Sequence, residues 1–184
     1  MLNIYIANLG KYNEGKLVGK WLELPASEDD INNLRVEIGV GYFDEDGEYI
    51  HGLEDNGVYY EEYAIHDHET DIDGLEISEY SSITELNEIA EEMEVLSEYE
   101  TKIVSALLEW GVYTNVLEAI ENIDDYNLNE DINNDYDLGY YWIEESGCYE
   151  IPENIKYYID YEKFGSDISI NANGFFSSNG WIEG

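Results

Sequence analysis

Apolar and polar residues alternate near the start of the chain, over residues 2–6, with the period of two that is typical of half-buried β-strands. Residues 16–24 are a second strand-like run. After the second run, Ser27 stands three positions before Asp30, and this spacing predicts a helix that begins there and covers about residues 28–37. The pattern therefore predicts strands and a helix in one small α+β unit.

The connections in this part of the chain are rich in Gly, Asn and Asp. Residues 8–15 contain three turn formers and predict a loop. Residues 39–57 predict a short hairpin centred on Asp46 and Gly47. Strand character returns over residues 59–67, so we expect a small antiparallel sheet.

The middle of the chain has the period of 3.6 residues that is typical of helices. A capping residue precedes a Glu by three positions at Ser82, Ser97 and Asn115. The first of the three predicted helices has an apolar stripe formed by Ile83, Leu86, Ile89, Ala90, Met93 and Leu96. Glu88 and Glu91 fall on its opposite face, and the second helix is predicted to end at Gly111. We expect a helical domain here.

The last third of the chain has mixed patterns. A helix is predicted through residues 140–143 with its end near Gly147, and Pro152 suits the first turn of another helix. Residues 167–171 alternate as a strand, and residues 175–176 predict its partner. The three parts are predicted to be an α+β domain at 1–76, a helical domain at 77–123 and a mixed α+β domain at 124–184.

The net charge of the chain restricts its possible functions more than any sequence motif does. The 184 residues include 44 Asp and Glu against 7 Lys and Arg, a formal net charge of -37. Direct binding to nucleic acid or to an anionic membrane is excluded, because both depend on Lys and Arg. Disorder is disfavoured, because 43% of the residues are hydrophobic and 14% are aromatic. No basic leader and no spanning apolar run of about 18 residues is visible, so we expect a cytoplasmic protein.

The placement of the charge is informative. Residues 36–155 contain 35 acids and one base, Lys102, although solvated helix faces normally mix both signs. Halophilic adaptation, a calcium or polyamine buffer, and mimicry of nucleic acid each account for such a surface. Mimicry needs both a rigid scaffold and a patterned negative surface. At about one charge per 1.7 Å of duplex, the net charge corresponds to roughly 60 Å of DNA.

Candidate catalytic and metal sites are weak. His66 and His68 would share one face of a strand, but no third ligand is identifiable. Cys148 has no His nearby in sequence, and we interpret it as an inert thiol. No nucleotide, cofactor or serine-nucleophile motif is present, so we expect no enzyme activity, no cofactor and no metal.

Two carboxylate chemistries remain open as alternatives. Asp131, Asn133 and Asp135 have the spacing of a calcium loop, but Tyr136 stands where that loop requires Gly. A carboxylate-dependent hydrolase needs two acids at a set separation, and among 44 acids some pair will always fit. An acidic cation-binding protein and a hydrolase are therefore the alternatives to mimicry.

Several motifs, in order along nearly the whole chain, resemble the ArdA-type antirestriction proteins of plasmids and conjugative transposons. The matching stretches are residues 4–15, 18–21, 60–67, 82–87, 142–147 and 158–161. The resemblance implies an elongated three-domain protein that dimerises through its last domain and mimics bent B-form DNA. Its implied partners are Type I restriction–modification enzymes, occupied at their DNA-recognition and methylation core. Residues 39–57 look longer than in the family and lack the Cys-rich insertion of some members.

Mimicry and the resemblance together give two sets of candidate site residues. The acids expected on the DNA-mimic surface lie on the helical part and on the strand before it: Glu61, Glu62, Asp67, Glu69, Glu85, Glu88, Glu91, Glu92, Glu98, Glu109, Glu118, Glu121, Asp124 and Asp125. Residues 147–161 match the stretch that the family calls its antirestriction motif, near the dimer contact. The residues expected in that contact are Tyr149, Ile151, Pro152, Ile155 and Tyr158.

Overall fold

A computed structural model of the chain describes residues 1–184 and confirms a mixed α+β fold with small antiparallel sheets. The chain forms two compact units, one from residues 1–71 and 76–95 and the other from residues 72–75 and 96–184. The predicted division into three domains stays a prediction. No helix has the length and apolar character that a membrane crossing requires.

The first unit is built on a three-stranded antiparallel sheet whose central strand is the first in the chain. Its elements are β1 (Leu2–Asn8), α1 (Leu9–Asn13), β2 (Gly19–Leu24), α2 (Glu28–Glu37), β3 (Gly41–Phe43), β4 (Tyr49–His51), β5 (Leu53–Asp55), β6 (Val58–Tyr60), β7 (Tyr63–Thr70) and α3 (Ile83–Met93). The sheet order is β2-β1-β7. The apolar positions Leu2, Ile4 and Ile6 of β1 are buried, as the alternation predicted. Helix α2 begins at the predicted Ser27 capping box.

The predicted loop at residues 8–15 is wrong, because five of its residues form α1. Asn8 is completely buried and caps this helix, its Oδ1 accepting from Lys11 N at 2.9 Å. Its Nδ2 donates to the carbonyl oxygens of Ile38 and Gly39, both at 3.1 Å. One side chain therefore satisfies three backbone groups and connects β1 to the end of α2.

The segment that includes residues 39–57 contains two hairpins. The predicted hairpin at Asp46 and Gly47 is confirmed, since β3 pairs with β4 there. A second hairpin joins β5 to β6 across Asn56 and Gly57, both with positive φ, and we did not predict it. The single strand expected over residues 59–67 is consequently two strands, β6 paired with β5 and β7 paired with β1.

The second unit combines a three-stranded sheet with helices. Its elements are α4 (Glu98–Trp110), α5 (Val116–Glu121), β8 (Asn127–Asn129), α6 (Asp135–Tyr140), α7 (Glu153–Lys156), α8 (Tyr161–Asn171), β9 (Gly174–Ser177) and β10 (Gly180–Glu183). The sheet order is β8-β10-β9. Helix α4 ends at Gly111 in the left-handed conformation, as predicted. Helix α6 begins before residue 140, capped by Asn134, and a π-helical turn (Tyr141–Glu145) continues it.

The strand predicted at residues 167–171 is wrong, because these residues form the end of α8. Five alternating residues fit either period, and the tertiary contacts decide between them. Ile168 packs beside Leu138 and Trp181 in the core of this unit, and the helical conformation of residues 167–171 places it there. The strand at residues 175–176 exists, but it pairs with β10 and not with residues 167–171.

Helices α6 and α8 meet at two glycines. A Cβ on Gly165 would collide with the carbonyl oxygen of Asp135, and one on Gly139 would collide with that of Tyr161. The two backbones are therefore in direct contact, and no side chain fits between them. This contact holds α8 directly against α6.

We expect Asn8→Ala to lower the free energy of unfolding by about 2–4 kcal/mol, because the backbone groups of Lys11, Ile38 and Gly39 lose their hydrogen-bond partner. Urea unfolding followed by circular dichroism measures this change. The matched control is Asn33→Ala, because Asn33 is an exposed residue of α2. This substitution should change stability by no more than about 0.5 kcal/mol. Equal effects of the two substitutions would contradict the role given to Asn8.

We expect Gly165→Ala to destabilise the second unit by about 3 kcal/mol, because the added methyl group forces two packed helices apart. Thermal unfolding compared with Ser166→Ala, one residue further along α8, isolates the steric effect. Equal unfolding temperatures for the Gly165→Ala and Ser166→Ala variants would show that the two helices do not touch at this point.

Candidate acidic binding surface

No Asp or Glu side chain is buried anywhere in the structure. The buried polar residues are Asn8, Asn32, Ser105 and Ser177, all of which are neutral. This distribution follows from the composition, because a buried carboxylate needs a cation and the chain has 7 cationic side chains for 44 acids. The acids are therefore confined to the surface of both units.

Few of these surface acids have a counter-charge. Lys102 pairs with Glu98 at 3.1 Å and Glu130 at 2.7 Å, which raises the pKa of the lysine. The other acids in ion pairs are Glu14, Glu37, Asp71, Glu144 and Glu153. Most of the remaining carboxylates face water without a cationic partner, so the protein's own side chains leave the negative charge of the surface largely uncompensated.

All fourteen acids predicted for the binding surface are exposed. In the first unit, Glu61 and Glu62 lie between β6 and β7, and Asp67 and Glu69 lie on β7. The others in this unit lie on α3: Glu85, Glu88, Glu91 and Glu92. In the second unit they lie on α4, on α5 and in the 3-10 turn after it: Glu98, Glu109, Glu118, Glu121, Asp124 and Asp125.

Capping bonds fix the helices that carry these acids. The Oγ of Ser82 accepts from Glu85 N at 3.4 Å, and the Oδ1 of Asn115 accepts from Leu117 N at 2.8 Å. At Ser97 the capping box is complete, because Glu100 Oε2 accepts from Ser97 N at 2.7 Å. Hydrogen bonds from the Ser97 side chain and backbone lower the pKa of Glu100. The acids therefore project from helices whose starting points are fixed.

Two acids bound to tyrosine were missed by sequence reasoning. Tyr60 Oη donates to Glu14 Oε1 at 2.7 Å, which lowers the pKa of Glu14 and raises that of Tyr60 to about 12. Glu144 accepts from Lys156 and from Tyr161, and these bonds lower its pKa while that of Tyr161 rises to about 12. Partners 46 and 17 residues away leave no local pattern that could reveal these bonds.

One predicted surface acid also has a structural contact. Glu109 Oε2 accepts from Ser178 N at 2.7 Å, in the turn between β9 and β10. This bond joins the end of α4 to the sheet of the second unit. Glu109 is exposed, but part of its hydrogen-bonding capacity is already used within the protein.

The residues predicted for the dimer contact surround a short, irregular segment. Tyr149 is exposed and packs edge-on against Phe164, with 5.4 Å between ring centroids. Pro152, Ile155 and Tyr158 are exposed, and Ile151 is partly buried. A cavity of about 450 Å³ opens here, lined by Tyr149, Ile151 and Pro152 among others. Sequence reasoning missed Tyr157, whose side chain is 94% exposed and adjoins the 86% exposed Tyr158.

The histidines and the cysteine do not gather into a reactive site. The ring of His66 packs edge-on against Tyr12 at 4.5 Å between centroids. Cys148 is an exposed free thiol. No group of three or more His, Cys, Asp or Glu side chains is arranged to hold a metal ion.

Comparison with known protein families gives a match that extends over nearly the whole chain. A family model described as "Antirestriction protein (ArdA)" matches residues 4–183. No curated protein matches the chain. The match confirms the resemblance that the sequence motifs indicated, and it includes both the acidic helices and the C-terminal aromatic segment.

Proposed function

The chain belongs to the ArdA family of antirestriction proteins, and from this premise we propose that it inhibits Type I restriction–modification enzymes as a mimic of DNA. In this proposal its acidic surface occupies the basic cleft that binds the enzyme's DNA. The protein acts by stoichiometric binding in the cytoplasm, without turnover, metal or cofactor. The observation that carries the proposal is the exposure of all fourteen candidate acids, ten of which lie on β7 or on the capped helices α3, α4 and α5.

The spacing of the acids on α3 supports mimicry. Four candidate acids lie on this helix of 11 residues, which is about 16 Å long. From Glu85 to Glu92 they span roughly 10 Å of the helix axis, about one acid every 3.5 Å, which is close to the roughly 3.4 Å of duplex axis per phosphate on one DNA strand. The buried side of the same helix consists of apolar residues, so the acids are directed outward.

We propose that two copies associate through the C-terminal segment around Tyr149, Ile155 and Tyr158. Tyr149, Ile155, Tyr157 and Tyr158 are all exposed within this short segment. A contact of this kind buries apolar surface that would otherwise face water. A dimer presents twice the charge of one chain, and therefore mimics a longer piece of duplex.

The test is competition for the methyltransferase core of a Type I enzyme. A fluorescent DNA duplex bound to the core should be displaced at near-equimolar inhibitor. Glu→Gln substitution of Glu85, Glu88, Glu91 and Glu92 together should weaken displacement by more than about tenfold, whereas each single substitution should weaken it by no more than about fivefold. Electrostatic binding spreads its energy over many exposed contacts, so the loss is gradual.

The matched control removes the same charge from acids outside the candidate set. Glu45, Asp46, Glu48 and Glu54 lie exposed in the two hairpins, and their joint change to amides should weaken displacement much less than the α3 change. A hydrolase would instead lose all activity when one or two acids are changed to amides. Failure to displace DNA at a large excess of inhibitor would contradict the proposal.

A further inference from the structure

A cavity of about 480 Å³ in the first unit contains the only arginine of the chain. Its walls include Arg35 from α2, the rings of Tyr49, Tyr63 and Tyr80, and the side chains of Glu61 and Glu62. A cavity of this volume is large enough to hold a small molecule. Glu61 and Glu62 also belong to the candidate acidic surface, whereas Arg35 and the three tyrosines have no part in the inhibition proposed above.

Arg35 makes no ion pair, although 44 acids are available in the chain. Its Nη1 donates to Asn32 Oδ1 at 3.2 Å, and its Nη2 donates to Tyr63 Oη at 3.1 Å. The guanidinium lies over the ring of Tyr63 at 5.3 Å and over that of Tyr49 at 5.9 Å. The charge is therefore held in a fixed orientation by neutral partners.

The Nε of Arg35 is buried and has no hydrogen-bond acceptor. A buried donor without a partner is costly, and a donor on a charged group more so. Tyr63 Oη accepts from Arg35, which leaves the proton of this hydroxyl for a second acceptor. A carboxylate in the cavity can accept this hydroxyl proton and at the same time offset the charge of the neighbouring guanidinium.

The acids in the wall restrict which carboxylate fits. Glu61 and Glu62 are exposed and line the same cavity, and the net charge of the chain is -37. A simple anion is repelled by this surface, whereas a ligand that also carries an ammonium group offsets the repulsion. The tyrosine rings favour an apolar body between the two charged groups.

We infer that this cavity binds the zwitterion of an aromatic or large aliphatic α-amino acid. The carboxylate contacts Arg35 and Tyr63, the ammonium group faces Glu61 and Glu62, and the side chain packs against the tyrosine rings. The site shares Glu61 and Glu62 with the proposed DNA-mimic surface, but its readout is separate, because binding of a free amino acid is measured without any restriction enzyme.

Isothermal titration of the full chain with L-phenylalanine tests the inference. We expect saturable one-to-one binding with a Kd of about 1 mM or tighter. Phenethylamine lacks the carboxylate, 3-phenylpropanoate lacks the ammonium group, and glycine lacks the apolar body, so each should bind at least about tenfold more weakly. Either single-charge analogue binding as tightly as phenylalanine would overturn the assignment, as would the absence of saturable binding.

Two variants separate binding from folding. Arg35→Gln should abolish the heat of binding, whereas Lys163→Gln, the same charge change at an exposed lysine without an ion pair in the second unit, should leave it unchanged. Tyr80 is 73% exposed, so Tyr80→Ala should keep the fold and still weaken binding severalfold. Binding that survives in Tyr80→Ala and in a folded Arg35→Gln protein would overturn the inference even if phenylalanine binds.

Discussion

An ionised carboxylate without a cation has to remain in water, and this constraint decides how the chain folds. With 44 acids and 7 cationic side chains, ion pairing cannot bring the acids into the interior. Both cores consist of aliphatic and aromatic side chains, and the polar groups admitted to them are neutral, such as Asn8 and Ser105. Every acid therefore lies at the surface, where its negative charge is available to a binding partner.

Hydrogen bonds from uncharged side chains supplement the few ion pairs of this protein. Ser97 and Asn115 fix helix starts, while Tyr60 and Tyr161 donate to Glu14 and Glu144, which also pair with Lys16 and Lys156. These contacts position acids and leave the net charge unchanged. Backbone contact between α6 and α8 at Gly139 and Gly165 adds rigidity without any charged group. A rigid and uncompensated surface is what mimicry of a polyanion requires.

The sequence predicted what depends on local spacing and missed what depends on distant partners. The cap at Ser27, the stop at Gly111 and the exposure of acids opposite an apolar stripe follow from periods and capping rules. The end of α8 was misread because contacts with Leu138 and Trp181, distant in sequence, select the helix. The second hairpin had a visible signal in Asn56 and Gly57, which both adopt positive φ. The Arg35 cavity has no local signal, because its walls come from separate elements.

The salt dependence of inhibitor binding tests the central claim most directly. Titrating the methyltransferase core of a Type I enzyme with the protein at a series of salt concentrations measures the slope of log Kd against log salt. If the acidic surface replaces DNA, Kd should rise by at least about tenfold between roughly 50 and 200 mM salt. A Kd that changes by less than about twofold over the same range would mean that apolar or neutral contacts carry the affinity, and would contradict the account.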